Sequence, residues 1–437
     1  MRLLLIGKVP PIEGGVSAQT FWLASALAAQ GHEVDVVTTA GDVEPGLAQV
    51  LYGDDERCLL GPTEASGSLR LHRTTPLATG SFIPFAQPHV SRLFGLALAV
   101  AERHNPEALI GWYFEPYGLA AALAGRALGL PVVLRHAGSD LGRLARHPEL
   151  ASAYRWALQQ AAGVVVTNED EFAARFGTID RPRIPVTRAR LPDAFREPAD
   201  PLDLGELLGV SASWFAALGL PEGLLRKVTA LVAPPTASGL RIATYGKVGA
   251  TKGSFDLVAA LRRLAETDVA FRFLSLSCGR PSALSRYFEA ILASPALAER
   301  TTILPPVAPW RIPSFLAGCD VVCFLEHDFP IAFHGPLIPR EVLSSGACLV
   351  VSAEVARKPL YGGSLVDGRN AVVVDDPTNH AALAGRIATL LEDRDGAVAL
   401  GRQGRLLARF WDEDLPSHDA SAATFIRAIL GLVKGSS

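Results

Sequence analysis

Arg241-Ile242-Ala243-Thr244-Tyr245-Gly246-Lys247-Val248-Gly249-Ala250-Thr251-Lys252-Gly253 is the stretch on which the fold turns. A short apolar strand runs into a glycine-punctuated turn, and a helix predicted over 252–266 follows. Lys247 and Lys252 frame the turn, where cations suit a diphosphate. Further along, Pro339-Arg340-Glu341-Val342-Leu343-Ser344-Ser345-Gly346 sets one acidic residue on a helix, ahead of the apolar run Cys348-Leu349-Val350-Val351. A carboxylate on the same crevice suits a ribose diol, so the two segments together read as a nucleotide-sugar site.

The pattern repeats outward in both directions. Leu3 to Ile6 is a continuous apolar run of the kind a parallel strand shows when both its faces are buried. Val34 to Val37, Ala108 to Ile110, Val132 to Leu134 and Val164 to Val166 read as further strands. Helices are predicted from Ser17, as a cap, to Gln30, and over 91–103, 118–128 and 149–162. After Tyr245 come strands at Phe273–Leu276, Thr302–Leu304, Val321–Phe324, Cys348–Val351 and Ala371–Val374. Helices near 281–294, 338–346, 378–392 and 396–409 lie between or after them, Phe410-Trp411-Asp412 reads as a break, and a last helix follows to Val433. Strands alternating with helices of this length give an α/β fold with parallel sheets. Between them, residues 192–238 are rich in proline and read as an interdomain connection with an inserted helical segment.

With 437 residues the chain is too long for one ordinary core, so two domains are expected. The boundaries predicted are 1–195 for the first and 196–414 for the second, with a helix over 415–437 packing back on the first. A hydrophobic content of 49% and a charged content of 19% describe a globular chain. No apolar run reaches the roughly 18 residues of a membrane span, so membrane contact is at most peripheral. A net charge of −3 argues against a dedicated nucleic-acid binder. The five cysteines, Cys58, Cys278, Cys319, Cys323 and Cys348, lack metal-ligand spacing and read as buried thiols in a reducing cytoplasm, with no metal ligands expected.

Ligands in open parallel sheets bind beyond the carboxyl ends of the strands, so the loops there carry the functional reading. Gly14 and Gly15, before the first helix, suit either close backbone approach to an anion or a plain turn. His136, in Arg135-His136-Ala137-Gly138-Ser139-Asp140, reads as a sugar contact or as a structural imidazole. Trp112, Tyr113 and Glu115 follow a strand and are the acceptor-side residues, the aromatics by stacking or else as simple packing. Loops around Arg73–His89 and Gly111–Gly118 would shape that pocket.

Taken in order, Gly14-Gly15-Val16, Gly31-His32-Glu33-Val34, His136, Gly246-Lys247 with Lys252-Gly253, Ile312 to Val321, Glu341 to Gly346 and Asp367 to Ala371 resemble the family-4 retaining glycosyltransferases of the GT-B fold. The resemblance spans most of the chain. It implies two Rossmann-like domains facing each other across a cleft, the first for an acceptor and the second for a nucleoside-diphosphate sugar. It further implies that Lys247, in place of the family's usual arginine, and Lys252 contact the diphosphate, with Gly14 and Gly15 beside it. Glu341 would bind ribose as the second glutamate of the family's pair, and His136 would lie near the donor sugar. His136, Lys247 and Lys252 are the catalytic set it implies.

The chain departs from the family at the first glutamate of that pair, where Phe333 stands. The segment between Asp320 and Glu341 also reads longer than usual. His334, with Gly335, is the replacement nearest in sequence, and Asp328 and Glu326 are the others. The activity implied is retaining, metal-independent transfer from a nucleotide sugar, UDP-sugar first and GDP-sugar second, to a small-molecule, glycan or peptide acceptor, without a bound cofactor. A nucleotide-sugar epimerase of similar fold and a non-catalytic nucleotide-binding protein are the alternatives.

Overall fold

The computed structural model describes residues 1–39, 43–60, 67–76, 88–184, 189–231, 239–331 and 333–435. They form two compact units. The first comprises Met1–Val43, Gly53–Arg190 and Leu415–Ser437, and the second Glu44–Tyr52 and Leu191–Asp414.

In the first unit, β1 (Arg2–Gly7), β2 (Glu33–Thr38), β3 (Ser68–Arg73), β4 (Ala108–Trp112), β5 (Val132–Arg135) and β6 (Gly163–Val165) make a parallel sheet in the order β3-β2-β1-β4-β5-β6. The apolar runs of β1, β4 and β5 are buried because helices cover both faces of such a sheet. Sequence periodicity passes over β3. This edge strand carries Arg70 and His72 on alternate positions and lacks the apolar run of a central strand. The first helix, Gly15–Ala29, starts from Gly14 rather than from Ser17, which lies buried inside it. Its neighbour is the last helix, His418–Gly435, whose Phe425, Ile426 and Ile429 share one apolar cluster with Leu3, Leu5 and Val34.

The second unit repeats the plan. β7 (Leu240–Lys247), β8 (Phe271–Cys278), β9 (Thr301–Leu304), β10 (Val321–Phe324), β11 (Cys348–Ser352) and β12 (Val372–Val374) lie parallel in the order β12-β11-β10-β7-β8-β9. Trp214 and Phe215, from the segment read as an interdomain connection, belong to this unit's core with Phe271 and Phe288. Residues 44–52 also belong here, although they were expected in the first domain. Val50 N donates to Pro306 O at 2.7 Å, Gly279 N to Gly46 O at 2.8 Å, and Trp214 Nε1 to Ala48 O at 3.1 Å. The break expected at Phe410-Trp411-Asp412 is absent. The helix Arg394–Glu413 runs through it, and buried Asp412 accepts from Arg340 Nη2 at 2.5 Å.

Candidate active site

Each sheet reverses its direction of strand addition once, between β1 and β4 and between β7 and β10. Beyond the carboxyl ends of such a pair, the loops diverge and leave a crevice. Of the residues singled out in the sequence, Lys247, Lys252, His334, Gly335 and Glu341 lie in the second unit, and Gly14, Gly15, Trp112, Tyr113, Glu115 and His136 in the first.

In the second unit the turn after β7 reaches the end of β10 through Gly253. Its φ is +67°, and a Cβ there would stand 2.3 Å from Leu325 O, so only glycine fits. His327 N donates to Thr251 O at 3.2 Å across the same junction. This approach sets Lys252 beside Glu326, a wholly buried carboxylate. Lys252 Nζ bonds to Glu326 Oε2. Glu326 Oε1 takes Lys358 Nζ at 2.6 Å and lies 3.1 Å from His334 Nδ1. Burial pushes the Glu326 carboxyl upward, but His334, Lys252 and Lys358 outweigh it and hold the group down at about 2. Lys252 is lowered by burial, against the pull of Glu326, and Lys358 and Lys247 add to the drop.

Phe329 covers this cluster. Its ring lies 3.9 Å from Lys252 Nζ and stacks on His334 at 4.5 Å between centroids. Glu354 fixes the backbone of the covering loop, accepting from Asp328 N at 2.5 Å and Phe329 N at 3.4 Å. Glu354 also lies 3.7 Å from Lys358. Lys247, exposed at the end of β7, adds a third ammonium group close enough to lower Lys252. The ammonium groups of Lys247 and Lys252 suit an anionic ligand. Nearby, Glu341 sits in the first turn of the helix Ile338–Ser345, and its Oε2 accepts from Tyr245 OH at 2.6 Å.

Among the three replacements weighed for the missing glutamate, Glu326 is the hub, His334 is its partner, and the side chain of Asp328 is solvent-exposed. Sequence reading missed Lys358 and Tyr245. No spacing marks Lys358, which follows the short helix Ala353–Ala356, and Tyr245 reads as one more apolar strand residue.

In the first unit the loops after β4, β5 and β6 are braced together. Asp140 Oδ2 accepts from Ala137 N at 2.7 Å and Phe114 N at 3.1 Å, while its buried Oδ1 has no hydrogen-bond partner among the described residues. Burial raises this carboxyl to about 7. His136 is 2% exposed; Nε2 accepts from Thr167 N at 3.1 Å and Nδ1 lies 3.3 Å from Ala137 O. Its ring packs between Phe114 and Phe172, and burial drops its pKa to about 4. The imidazole braces this backbone, and burial favours its neutral form.

Trp112 is 6% exposed, lies under the Arg135 guanidinium at 4.0 Å and meets Phe425 edge-on, within the core of the first unit. Tyr113 has a φ of +83° and its hydroxyl lies 3.0 Å from Ser139 Oγ. Glu115 is half-buried, 3.5 Å from Tyr154 OH, and burial raises its pKa. Gly14, at φ +125°, precedes the first helix, and open space surrounds the Cβ position of Gly15. Most of the loop expected around 73–89 lies outside the described residues.

Residues 14–190 match the family described as Glycosyl transferase 4-like domain. Full-length structural matches include sucrose-phosphate synthase from Thermosynechococcus elongatus, at 16% identity and a TM-score of 0.61, covering 99% of each chain. Anabaena HepE in complex with UDP-glucose matches at 14% identity and 0.61, over 99% of this chain and 100% of that one. WaaG, a glycosyltransferase involved in lipopolysaccharide biosynthesis, matches at 16% and 0.57, over 97% and 98%. No curated protein matches the chain. Among the described residues, no helix is long and apolar enough to cross a membrane.

Proposed function

We propose that the chain is a glycosyltransferase that moves a sugar from a UDP-sugar with retention and without a metal; the match of residues 14–190 to the glycosyl transferase 4-like domain and the likeness of its two sheets to full-length glycosyltransferase structures support this reading. The observation that carries this reading is the Lys252–Glu326–Lys358 cluster at the β7/β10 switch point, with Lys247 and Glu341 beside it. That UDP-glucose is bound by HepE supports the choice of donor.

Lys247 and Lys252 face the leaving diphosphate, and Glu341, oriented by Tyr245, takes the ribose hydroxyls. The bond from the anomeric carbon to the diphosphate oxygen breaks, and the acceptor oxygen bonds to the same face of that carbon. The acceptor proton passes to the departing diphosphate. Ammonium groups already fixed where the negative charge grows stabilise it without reorganisation. Glu326 keeps Lys252 and His334 in place, and His334 with Gly335 flanks the donor sugar. In the first unit, Gly14 precedes and Gly15 opens a helix whose N-terminus suits an anion. On the acceptor side we assign Tyr113 and Glu115, with His136 as a positioning residue. The acceptor class, whether small molecule, glycan or peptide, is left to the experiment below.

Metal independence rests on those lysines and on the commitment of Asp376, in the Asp375-Asp376 pair that follows β12. Its Oδ1 accepts from Thr378 N at 2.9 Å and Thr378 Oγ1 at 2.6 Å, a helix-start turn rather than a cation ligand. The five cysteines form no disulfide among the described residues, which fits a reducing cytoplasm.

The test is a thermal-shift screen with UDP, GDP and their sugars, followed by mass spectrometry of products from cell extract with EDTA present and NMR of the new anomeric centre. Stabilisation by UDP-sugars and a retained configuration in EDTA are expected. Inversion, loss of turnover reversed by magnesium or manganese, or epimerisation of the donor without acceptor each overturn it.

A further inference from the structure

Away from both switch points, the first unit holds a cluster built on Asp35. This carboxylate lies on β2, faces the interior of the unit and is 3% exposed at its side chain. From the adjacent edge strand, Arg70 donates through Nε to Oδ1 at 2.8 Å and through Nη2 to Oδ2 at 2.9 Å. His72, two residues further on β3, places Nε2 2.7 Å from Oδ1. His104, the last residue of the helix His89–His104, places Nδ1 4.0 Å from Oδ2, beyond hydrogen-bonding reach. The two imidazoles are 5.5 Å apart between centroids. The three ligand atoms, one from each of Asp35, His72 and His104, all lie within 4.8 Å of one another.

We propose that Asp35, His72 and His104 form a binding site for a divalent cation of the zinc type. Two imidazole nitrogens and one carboxylate oxygen, with a fourth position open to water, are a donor set that Zn²⁺ accepts and that the all-oxygen preference of Mg²⁺ and Ca²⁺ disfavours. The side chains of His72 and His104 are 19% and 26% exposed, so a cation reaches them from solvent.

Arg70 is, among the described residues, the cation bonded to Asp35, and its contacts define its part. It also bonds Glu33 Oε2 at 3.1 Å, so the guanidinium is shared between two carboxylates. With neutral imidazoles, Asp35 and Glu33 against Arg70 leave one negative charge in excess, and a cation does not enter a positive cluster. Arg70 then does for Asp35 what outer hydrogen bonds do for metal-ligating carboxylates generally: it fixes the orientation of the oxygens. Binding requires the Nε2 hydrogen of His72 to move to Nδ1 and a small closure that brings His104 Nδ1 inward. The expected consequence is structural, joining β2, β3 and the end of the helix His89–His104. The site is independent of the transfer reaction proposed above.

The test uses the full chain, stripped with a chelator, dialysed, and titrated with zinc chloride alone by calorimetry. One saturable equivalent is expected, with a rise in melting temperature. His104→Ala should weaken binding by more than about tenfold while leaving the melting temperature of the metal-free chain unchanged, because that ring makes no hydrogen bond to Asp35. His72→Ala combined with His104→Ala should abolish it. Co²⁺ in place of Zn²⁺ should give the visible bands of a tetrahedral nitrogen–oxygen site with no thiolate charge-transfer band. Absence of saturable binding, an unchanged affinity in His104→Ala, or a thiolate band pointing to cysteine would overturn the assignment. If the double variant fails to fold, the single variant and the cobalt spectrum decide.

Discussion

The two switch points share a topology and differ in what lines them. In the second unit the crevice end of β10 holds a buried, ionised carboxylate pinned between two lysines. In the first, the loops after β4, β5 and β6 are held by a buried carboxyl near neutrality and an uncharged imidazole. The difference shows that one α/β frame can brace its loops by charge or by hydrogen bonds to neutral groups. Only the charged version leaves cations to meet a phosphate.

The sharpest way to break the comparison is Glu326→Ala. Removing the carboxylate leaves Lys252 and Lys358 half-buried or buried with their shared partner gone, a change that costs about 3–5 kcal/mol for buried pairs. Thermal melts should show the loss, together with loss of UDP binding. A melt like that of the unaltered chain would mean that the cluster is not what braces the second unit.

Lys252→Ala comes next. Turnover should fall by about 10²–10³, the scale of one transition-state charge stabiliser. The bond to Glu326 adds a stability cost that the turn alone does not predict. Lys358 and His334 remain on the carboxylate, so that cost should be smaller than for Glu326→Ala. Initial rates on folded protein separate the two effects. Undiminished rates would remove Lys252 from the diphosphate site.

Acid should act on the two units in opposite senses. Glu326 titrates at about 2 in the folded chain against an ordinary 4.5, so its contribution is complete above 4.5 and is lost as pH falls through 2. Asp140 titrates at about 7 against 3.8, so its contribution is complete below 3.8 and fades as pH rises through 7. Melting temperatures across pH 2–8 for Glu326→Gln and Asp140→Asn check this. Each variant should flatten one limb of the stability profile and leave the other, and a profile unchanged in both would refute the contrast.

The smallest effect expected is that of Glu341→Gln. The amide keeps one acceptor and should lower UDP affinity by about tenfold, with little change in stability, as measured by calorimetry. Equal affinity would place the ribose elsewhere.

The apolar runs of β1, β4, β5, β7, β10 and β11 are legible by themselves, because a parallel strand buried on both faces needs an unbroken apolar stretch. With the helices between them, they determine two parallel sheets, and the lysines of the β7 turn and Glu341 mark the second crevice before any contact is known. What sequence could not decide depends on neighbours distant along the chain. Strand β3 escapes because an edge strand carries charge. The surroundings of Trp112 and His136 come from tertiary structure alone, where Arg135, Phe425, Phe172 and Thr167 close around them. Glu326 and Lys358 have no motif between them. Only the pairing of β10 with β11, and the bond from Ser352 Oγ to Glu326 O, brings their charges within bonding distance, where burial makes each depend on the other.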